Sequence, residues 1–145
     1  MQPQTQAAKG KAKGDITHRT ALFLVAAELA RRHYTVSFND TPKAPLKVDC
    51  QTGQHFLVDV HGLSSKQAWL PGKLKNDFYV LVTIGDDHRD DIYFICNQDA
   101  MNSFAREYQR KHPNQKTLGG FNWADPKDYK DKWEILPPAR GPSTV

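Results

Sequence analysis

The segment from His55 to His61 is the feature that most constrains how this chain can fold. Within it Asp59 and His61 alternate with valines, which is the pattern of a β-strand with one face on an apolar core. The turn signal Thr52–Gly53 precedes the segment, and residues 46–50 form another strand-like run before that turn. The two runs predict a β-hairpin inside an α/β domain.

Helices are predicted on both sides of the strands along the sequence. The first starts at Asp15 or Thr17, either of which can cap it, and runs to about His33. Its apolar face recurs at helical spacing and consists of Leu22, Val25, Ala26 and Leu29. The second helix starts between residues 97 and 99 and ends before Pro113.

The other apolar runs predict more of the sheet. Residues 34–38 alternate and predict a short strand. Residues 78–84 are almost wholly apolar and predict a buried central strand, with residues 91–96 as its neighbour. The predicted fold class is therefore α/β, a mixed central β-sheet flanked by helices in the core order α-β-β-β-β-α.

Length and composition favour one domain. The chain has 145 residues, of which 39% are hydrophobic and 25% charged. We expect a flexible basic tail at residues 1–14, the domain at 15–137 and a frayed C-terminus at 138–145. No apolar run approaches the roughly 20 residues that cross a bilayer, and the N-terminus lacks a signal-peptide pattern. With Cys50 and Cys96 interpreted as reduced thiols, we expect a cytoplasmic protein without membrane contact.

Counting across the hairpin tests which acids could act together. With a two-residue turn at Thr52–Gly53, Leu46 faces Asp59, and Asp49 points to the opposite side of the hairpin. A slip of one residue would bring Asp49 to the same side. It would still lie about four residues along the strand, or roughly 13 Å away. Asp59 and His61 themselves share a face, where they either form a functional pair or contact each other and water.

The ordered set of these segments resembles small prokaryotic nuclease-like domains of the PD-(D/E)XK superfamily, to which archaeal Holliday junction resolvases belong. The resemblance covers residues 17–137 and is carried by residues 25–32, 58–62, 64–65, 69–70, 78–82, 92–95 and 129–136. It implies a restriction-endonuclease-like core. In that family, acids on neighbouring strands hold Mg²⁺ or Mn²⁺, and a lysine positions the water that attacks a phosphodiester.

The resemblance implies a candidate site in which Asp59 is the metal-binding acid. His61 stands where the family has lysine, and histidine is mostly uncharged near neutral pH. Leu46 falls where the family has its first acid, so a second carboxylate would have to come from Glu28 or Asp40. With Asp59, His61, Glu28 and Asp40 together, the chain would be a metal-dependent endonuclease. Without them, it would be a nuclease-derived protein that needs no metal.

The charge pattern bears on the partner. The net charge is +4 and the sequence pI is near 9.1, which favours a polyanion. A loop after the 55–61 strand carries Lys66, Lys73 and Lys75 around Trp69, a combination that suits nucleic-acid phosphates and an unpaired base. The alternative is that Trp69 covers an edge of the core and that the lysines are simply solvated.

Three functions follow as hypotheses. The favoured one is a nuclease-fold protein with a degraded metal site that binds nucleic acid, DNA rather than RNA, or a protein partner. By analogy of fold alone, its setting would be prokaryotic or phage genome defence or its evasion. The rivals are an active Mg²⁺-dependent endonuclease and a protein-interaction module without a nucleic-acid role. A homodimer is compatible with each of them.

Overall fold

The computed structural model describes residues 6–39, 44–65, 67–69, 74–114 and 120–141, with side chains except at residues 6–15 and 88. It is an α/β fold with one helix on each face of a five-stranded mixed sheet. The elements are α1 (Gln6–Arg31), β1 (Thr35–Ser37), β2 (Leu46–Asp49), β3 (His55–Leu63), β4 (Phe78–Thr83), β5 (Ile92–Asn97) and α2 (Gln98–Lys111). In the described ranges no helix is long and apolar enough to traverse a bilayer.

The strands lie side by side in chain order, β1-β2-β3-β4-β5. All neighbours are antiparallel except β3 and β4, which are parallel and set Asp59 beside Tyr79. A mixed sheet flanked by helices is therefore confirmed. The predicted order α-β-β-β-β-α is one strand short, because the short run predicted at 34–38 pairs with β2 and belongs to the sheet.

The first helix begins at Gln6 instead of Asp15. Residues 6–14, assigned above to a flexible tail, are therefore helical. Alanine and lysine are strong helix formers, and extending an existing helix costs far less than starting one. Residues 1–5 of the predicted tail lie outside the described residues.

The end of α1 is closed by a Schellman motif in which a histidine takes the place of glycine. The amide of His33 donates to Ala30 O at 3.0 Å, and the amide of Tyr34 donates to Leu29 O at 3.1 Å. His33 has φ +75°, the left-handed conformation that the motif requires. Tyr34 and Leu29 are both buried, so the chain turns directly into the core as the helix ends.

The sheet separates two apolar clusters. On the α1 side, the inward residues of β2, β3, β4 and β5 pack under the helix. These are Leu46, Val48, Phe56, Val58, Val60, Val80, Val82 and Ile95. On the other side, Tyr79, Leu81, Phe94 and Cys96 pack under α2 with Trp69 and Phe121.

Helix α1 crosses β3 at a very short distance. A Cβ atom on Gly62 would lie 2.8 Å from Ala21 Cβ and 3.2 Å from the carbonyl oxygen of Thr17. Glycine therefore lets the helix approach the strand one residue after His61. The packing of α1 thus fixes the position of β3, the strand that carries the candidate site.

Residues 120–141, the C-terminal strap, pass from one face of the sheet to the other. Phe121 exchanges backbone hydrogen bonds with Trp69 on the α2 side, and the amide of Asp131 donates to Tyr93 O at the edge of β5. On the α1 side, the amide of Gln51 donates to Ala139 O at 2.7 Å. The C-terminus predicted as frayed from residue 138 is therefore packed through Ala139, which is buried. Residues 142–145 lie outside the described residues.

Candidate functional site

One half of the sheet carries a polar face that α2 does not reach. Helix α2 packs on β4 and β5, whereas the residues of β1, β2 and β3 on the same side are exposed or half-buried. We call this surface the open face. It consists of Thr35, Ser37, Lys47, Asp49, His55, Leu57, Asp59 and His61. Each of them alternates with an apolar residue that points towards α1, as expected for a sheet with one covered side.

Asp59 and His61 meet on the open face as the alternation predicted. His61 Nε2 lies 3.1 Å from Asp59 Oδ2. A carboxylate can only accept, so the imidazole is the donor in this contact. The side chain of Asp59 is 14% exposed and that of His61 is 25% exposed, which leaves both within reach of a ligand. Nδ1 of His61 has no hydrogen-bond partner among the described residues, so it remains available to a ligand or to water.

Tyr79 completes this environment from the neighbouring strand. It lies beside Asp59 in the parallel register and is fully buried. Its hydroxyl accepts a hydrogen bond from the amide of Asn76 at 2.9 Å. Burial raises the pKa of Tyr79, and the negative charges of Asp59 and Asp77 raise it further. Sequence reasoning missed this residue, although a tyrosine in an otherwise apolar strand is a signal that its hydroxyl has a polar neighbour.

The hairpin register differs from the prediction by one residue. Leu46 faces Val58 and Asp49 faces His55. The reason is a longer turn, in which the amide of Cys50 donates to Gln54 O at 2.7 Å. Asp49 therefore shares the open face with Asp59 but pairs with a residue four positions before it, at roughly 3.3 Å per residue. A shared metal ion would need the two carboxylates much closer together.

The structure does not bring Glu28 to Asp59. Glu28 belongs to α1, which packs on the opposite face of the sheet. Its carboxylate receives a hydrogen bond from Arg32 at 2.5 Å, and the Arg32 guanidinium also lies 4.1 Å from the centre of the Trp133 ring. Glu28 thus helps to hold the C-terminal strap. Asp40, the other proposed source of a carboxylate, lies outside the described residues.

The predicted nucleic-acid residues fall into three situations. Trp69 is only 1% exposed, and its Nε1 donates to Trp123 O at 3.2 Å. A base cannot stack on a ring in that position, so the structure favours the alternative, in which Trp69 belongs to the core. Lys75 is exposed and free to contact a phosphate. Lys66 and Lys73 lie outside the described residues.

Across the ranges described, no group of three or more His, Cys, Asp or Glu side chains is arranged to hold a metal ion. Asp59 and His61 form a pair without a third ligand from those ranges. Comparison with known proteins adds no relative, since no family model, no curated protein and no solved structure matches the chain. The fold and the pair on the open face therefore define an α/β domain with a polar, solvent-facing sheet surface.

Proposed function

We propose that this protein binds nucleic acid, DNA rather than RNA, through a nuclease-like domain whose metal site is impaired. The observation that carries the proposal is the direct contact between Asp59 and His61, in a described part of the chain where no three His, Cys, Asp or Glu side chains form a metal-binding group. In the resembling family, two acids and a lysine act together. Here one acid is held by a histidine that stands in the position of the lysine.

A site with Asp59 as its one acid would lose metal-dependent phosphodiester hydrolysis more readily than it would lose phosphate binding. Mg²⁺ in nuclease sites is held by carboxylates together with substrate phosphate, and a single carboxylate binds it weakly. Phosphate binding, by contrast, needs only donors and positive charge. The net charge of +4 supplies the charge, and exposed Lys47 and Lys75 supply cations on and near the open face.

The rival function is an active Mg²⁺-dependent or Mn²⁺-dependent endonuclease. It requires an acid such as Asp40 to join Asp59. The third function is a protein-interaction module, which requires no affinity for phosphate. Both rivals are decided by the same experiment.

Labelled duplex DNA, single-stranded DNA and RNA are incubated with the protein in Mg²⁺ or Mn²⁺, with Asp59→Ala as the matched control. We expect no cleavage above that control. In parallel, binding is measured by fluorescence anisotropy across a salt series without metal. We expect log K to fall linearly with log salt, with a steeper fall for duplex DNA.

Metal-dependent cleavage that is lost in Asp59→Ala would establish the active endonuclease and overturn the proposal. An affinity without salt dependence, or no binding to any of the three nucleic acids, would support the protein-interaction module instead.

A further inference from the structure

A strained residue marks one corner of the molecule, where the end of α1, the β2–β3 turn and the end of the C-terminal strap meet. His33 has φ +75°, a conformation that glycine adopts at no steric cost. The carbonyl oxygen of His33 accepts a hydrogen bond from the side-chain Nε2 of Gln51 at 3.4 Å. The backbone amide of Gln51 in turn donates to Ala139 O. Non-glycine residues held in this conformation cluster at functional sites.

The side chain of His33 holds an arginine. Arg140 Nη2 donates to Nδ1 of His33 at 2.9 Å, and both residues are exposed. Because arginine can only donate, Nδ1 carries a lone pair and the imidazole is neutral in this contact. The guanidinium of Arg140 is therefore oriented by its partner without being neutralised.

Three of the other arginines are held in a different way. Arg32, Arg89 and Arg110 each pair with a carboxylate of a nearby residue. Among the described residues no carboxylate pairs with Arg140, and its guanidinium bonds instead to His33. The guanidinium of Arg140 therefore keeps a positive charge with which no carboxylate of the described residues pairs.

We infer that this corner, formed by His33 and Arg140, binds the phosphate backbone of a nucleic acid. Arg140 contacts a phosphate, and His33 is the positioning residue that orients its guanidinium. A planar guanidinium with fixed donors matches phosphate oxygens in two places at once. The inference rests on the proposed function, and it names the surface on which the backbone is held.

The position of the corner suits a ligand that also crosses the open face. The β2–β3 turn leads directly into His55, and His61 lies six residues further along β3. Six residues of a strand span roughly 20 Å. That length corresponds to about six phosphate steps of one DNA strand at 3.4 Å each. A single duplex can therefore lie along β3 and touch both ends.

The test measures binding of the full chain to labelled duplex DNA across a salt series for Arg140→Gln, Arg140→Lys and His33→Gly. The control is Arg106→Gln, which removes an exposed cation from α2, a helix that packs on β4 and β5 and not at the corner. We expect Arg140→Gln to reduce the slope of log K against log salt by about 1. Arg140→Lys keeps the positive charge but loses the planar guanidinium with its two parallel donors. It should therefore bind DNA more weakly than the wild type and retain the slope of log K against log salt.

His33→Gly separates a positioning role from a structural one. Glycine relieves the strained backbone, so the melting temperature should rise. DNA binding should nevertheless weaken, because Arg140 is no longer oriented. A purely structural histidine would give the same rise in melting temperature with unchanged binding.

Wild-type levels of salt-dependent binding in both Arg140→Gln and His33→Gly would overturn this inference and leave the proposed function standing. An equal loss of slope in Arg106→Gln would also overturn it, since the contact would then be diffuse. If the wild type itself shows no salt-dependent binding, the proposed function fails and the inference falls with it.

Discussion

The contact between α1 and β3 at Gly62 gives a sharp prediction. In Gly62→Ala, the added Cβ would lie 2.8 Å from Ala21 Cβ and 3.2 Å from the Thr17 carbonyl oxygen. Neither neighbour can rotate away, since one is a Cβ atom and the other belongs to the helix backbone. The helix or the strand must therefore move as a unit.

The size of the effect follows from that distance. Carbon atoms in van der Waals contact are about 3.5 to 4.0 Å apart, so the elements must separate by roughly 1 Å. Forcing an extra carbon into a packed core costs about 1–3 kcal/mol. The better strand propensity of alanine returns about 0.5–1 kcal/mol. We expect Gly62→Ala to lower the free energy of unfolding by about 1–2 kcal/mol.

The assay is urea denaturation of a double-mutant cycle with Ala21→Gly. That substitution alone should cost about 1 kcal/mol, because glycine is a poor helix former. In the double variant the 2.8 Å contact with Ala21 Cβ is absent and only the 3.2 Å approach to the Thr17 carbonyl oxygen remains, so the cost should be only slightly above that of Ala21→Gly alone. The coupling energy should therefore be about 1–2 kcal/mol in favour of the double variant.

Additive effects would refute the reasoning, since they would mean that the Ala21 contact is not what glycine is there to permit. Gly53→Ala provides a matched control. Gly53 lies in the β2–β3 turn at φ +93° with open space around it, so alanine there is strained by its backbone alone. Ala21→Gly should not rescue it.

Three more predictions concern the buried cluster and the C-terminal strap. Burial raises the pKa of Cys96 to about 12 from 9.0, so its contribution to stability is complete below pH 9 and is lost as pH rises towards 12. The free energy of unfolding measured in urea should therefore fall by up to about 1.4 kcal/mol per pH unit above pH 9, and less steeply in Cys96→Ala. Trp69→Ala should lower the free energy of unfolding by about 3–5 kcal/mol in urea denaturation, because the ring fills the α2-side core. Tyr34→Phe removes a 2.5 Å hydrogen bond to Pro137 O and should cost about 1 kcal/mol by the same measurement.

Each of these can fail in a distinct way. A pH dependence above 9 that is identical in Cys96→Ala would assign the titration to another group, such as Tyr93, whose pKa burial also raises to about 12. A Trp69→Ala protein of normal stability but weaker DNA binding would restore the stacking role that burial argues against. Unchanged stability of Tyr34→Phe would mean that the strap is held without this bond.

The sequence was most informative where a long periodic run decides the structure. The predicted strand at 78–84 corresponds to Phe78–Thr83, and the predicted strand at 55–61 corresponds to His55–Leu63. Both runs are too apolar on one or both faces to be exposed. Each could therefore be predicted as a buried or half-buried strand from its pattern alone. The shared face of Asp59 and His61 followed from alternation alone and is confirmed by their hydrogen bond.

The register of the hairpin and the role of Trp69 could not be predicted in the same way. Thr52–Gly53 fits a two-residue turn and also fits a longer loop with glycine at a positive φ, and these alternatives differ by one residue in register. A one-residue change moves every side chain of a strand to the other face, so the position of Asp49 depended on it. Burial of Trp69 depends on Phe121, more than fifty residues away, which no local pattern indicates.

The C-terminal strap affects how the protein folds while it is being synthesised. The hydroxyl of Tyr34 and the ring of His33 bond to residues 103 and 107 positions later in the chain. Until the ribosome has released Asp131, the edge of β5 lacks its partner, and until it has released residues 137–140, Tyr34 and His33 lack theirs. The nascent chain therefore carries an uncovered strand edge and core until these residues have been made, the condition in which chaperones bind and in which neighbouring chains on a polysome meet.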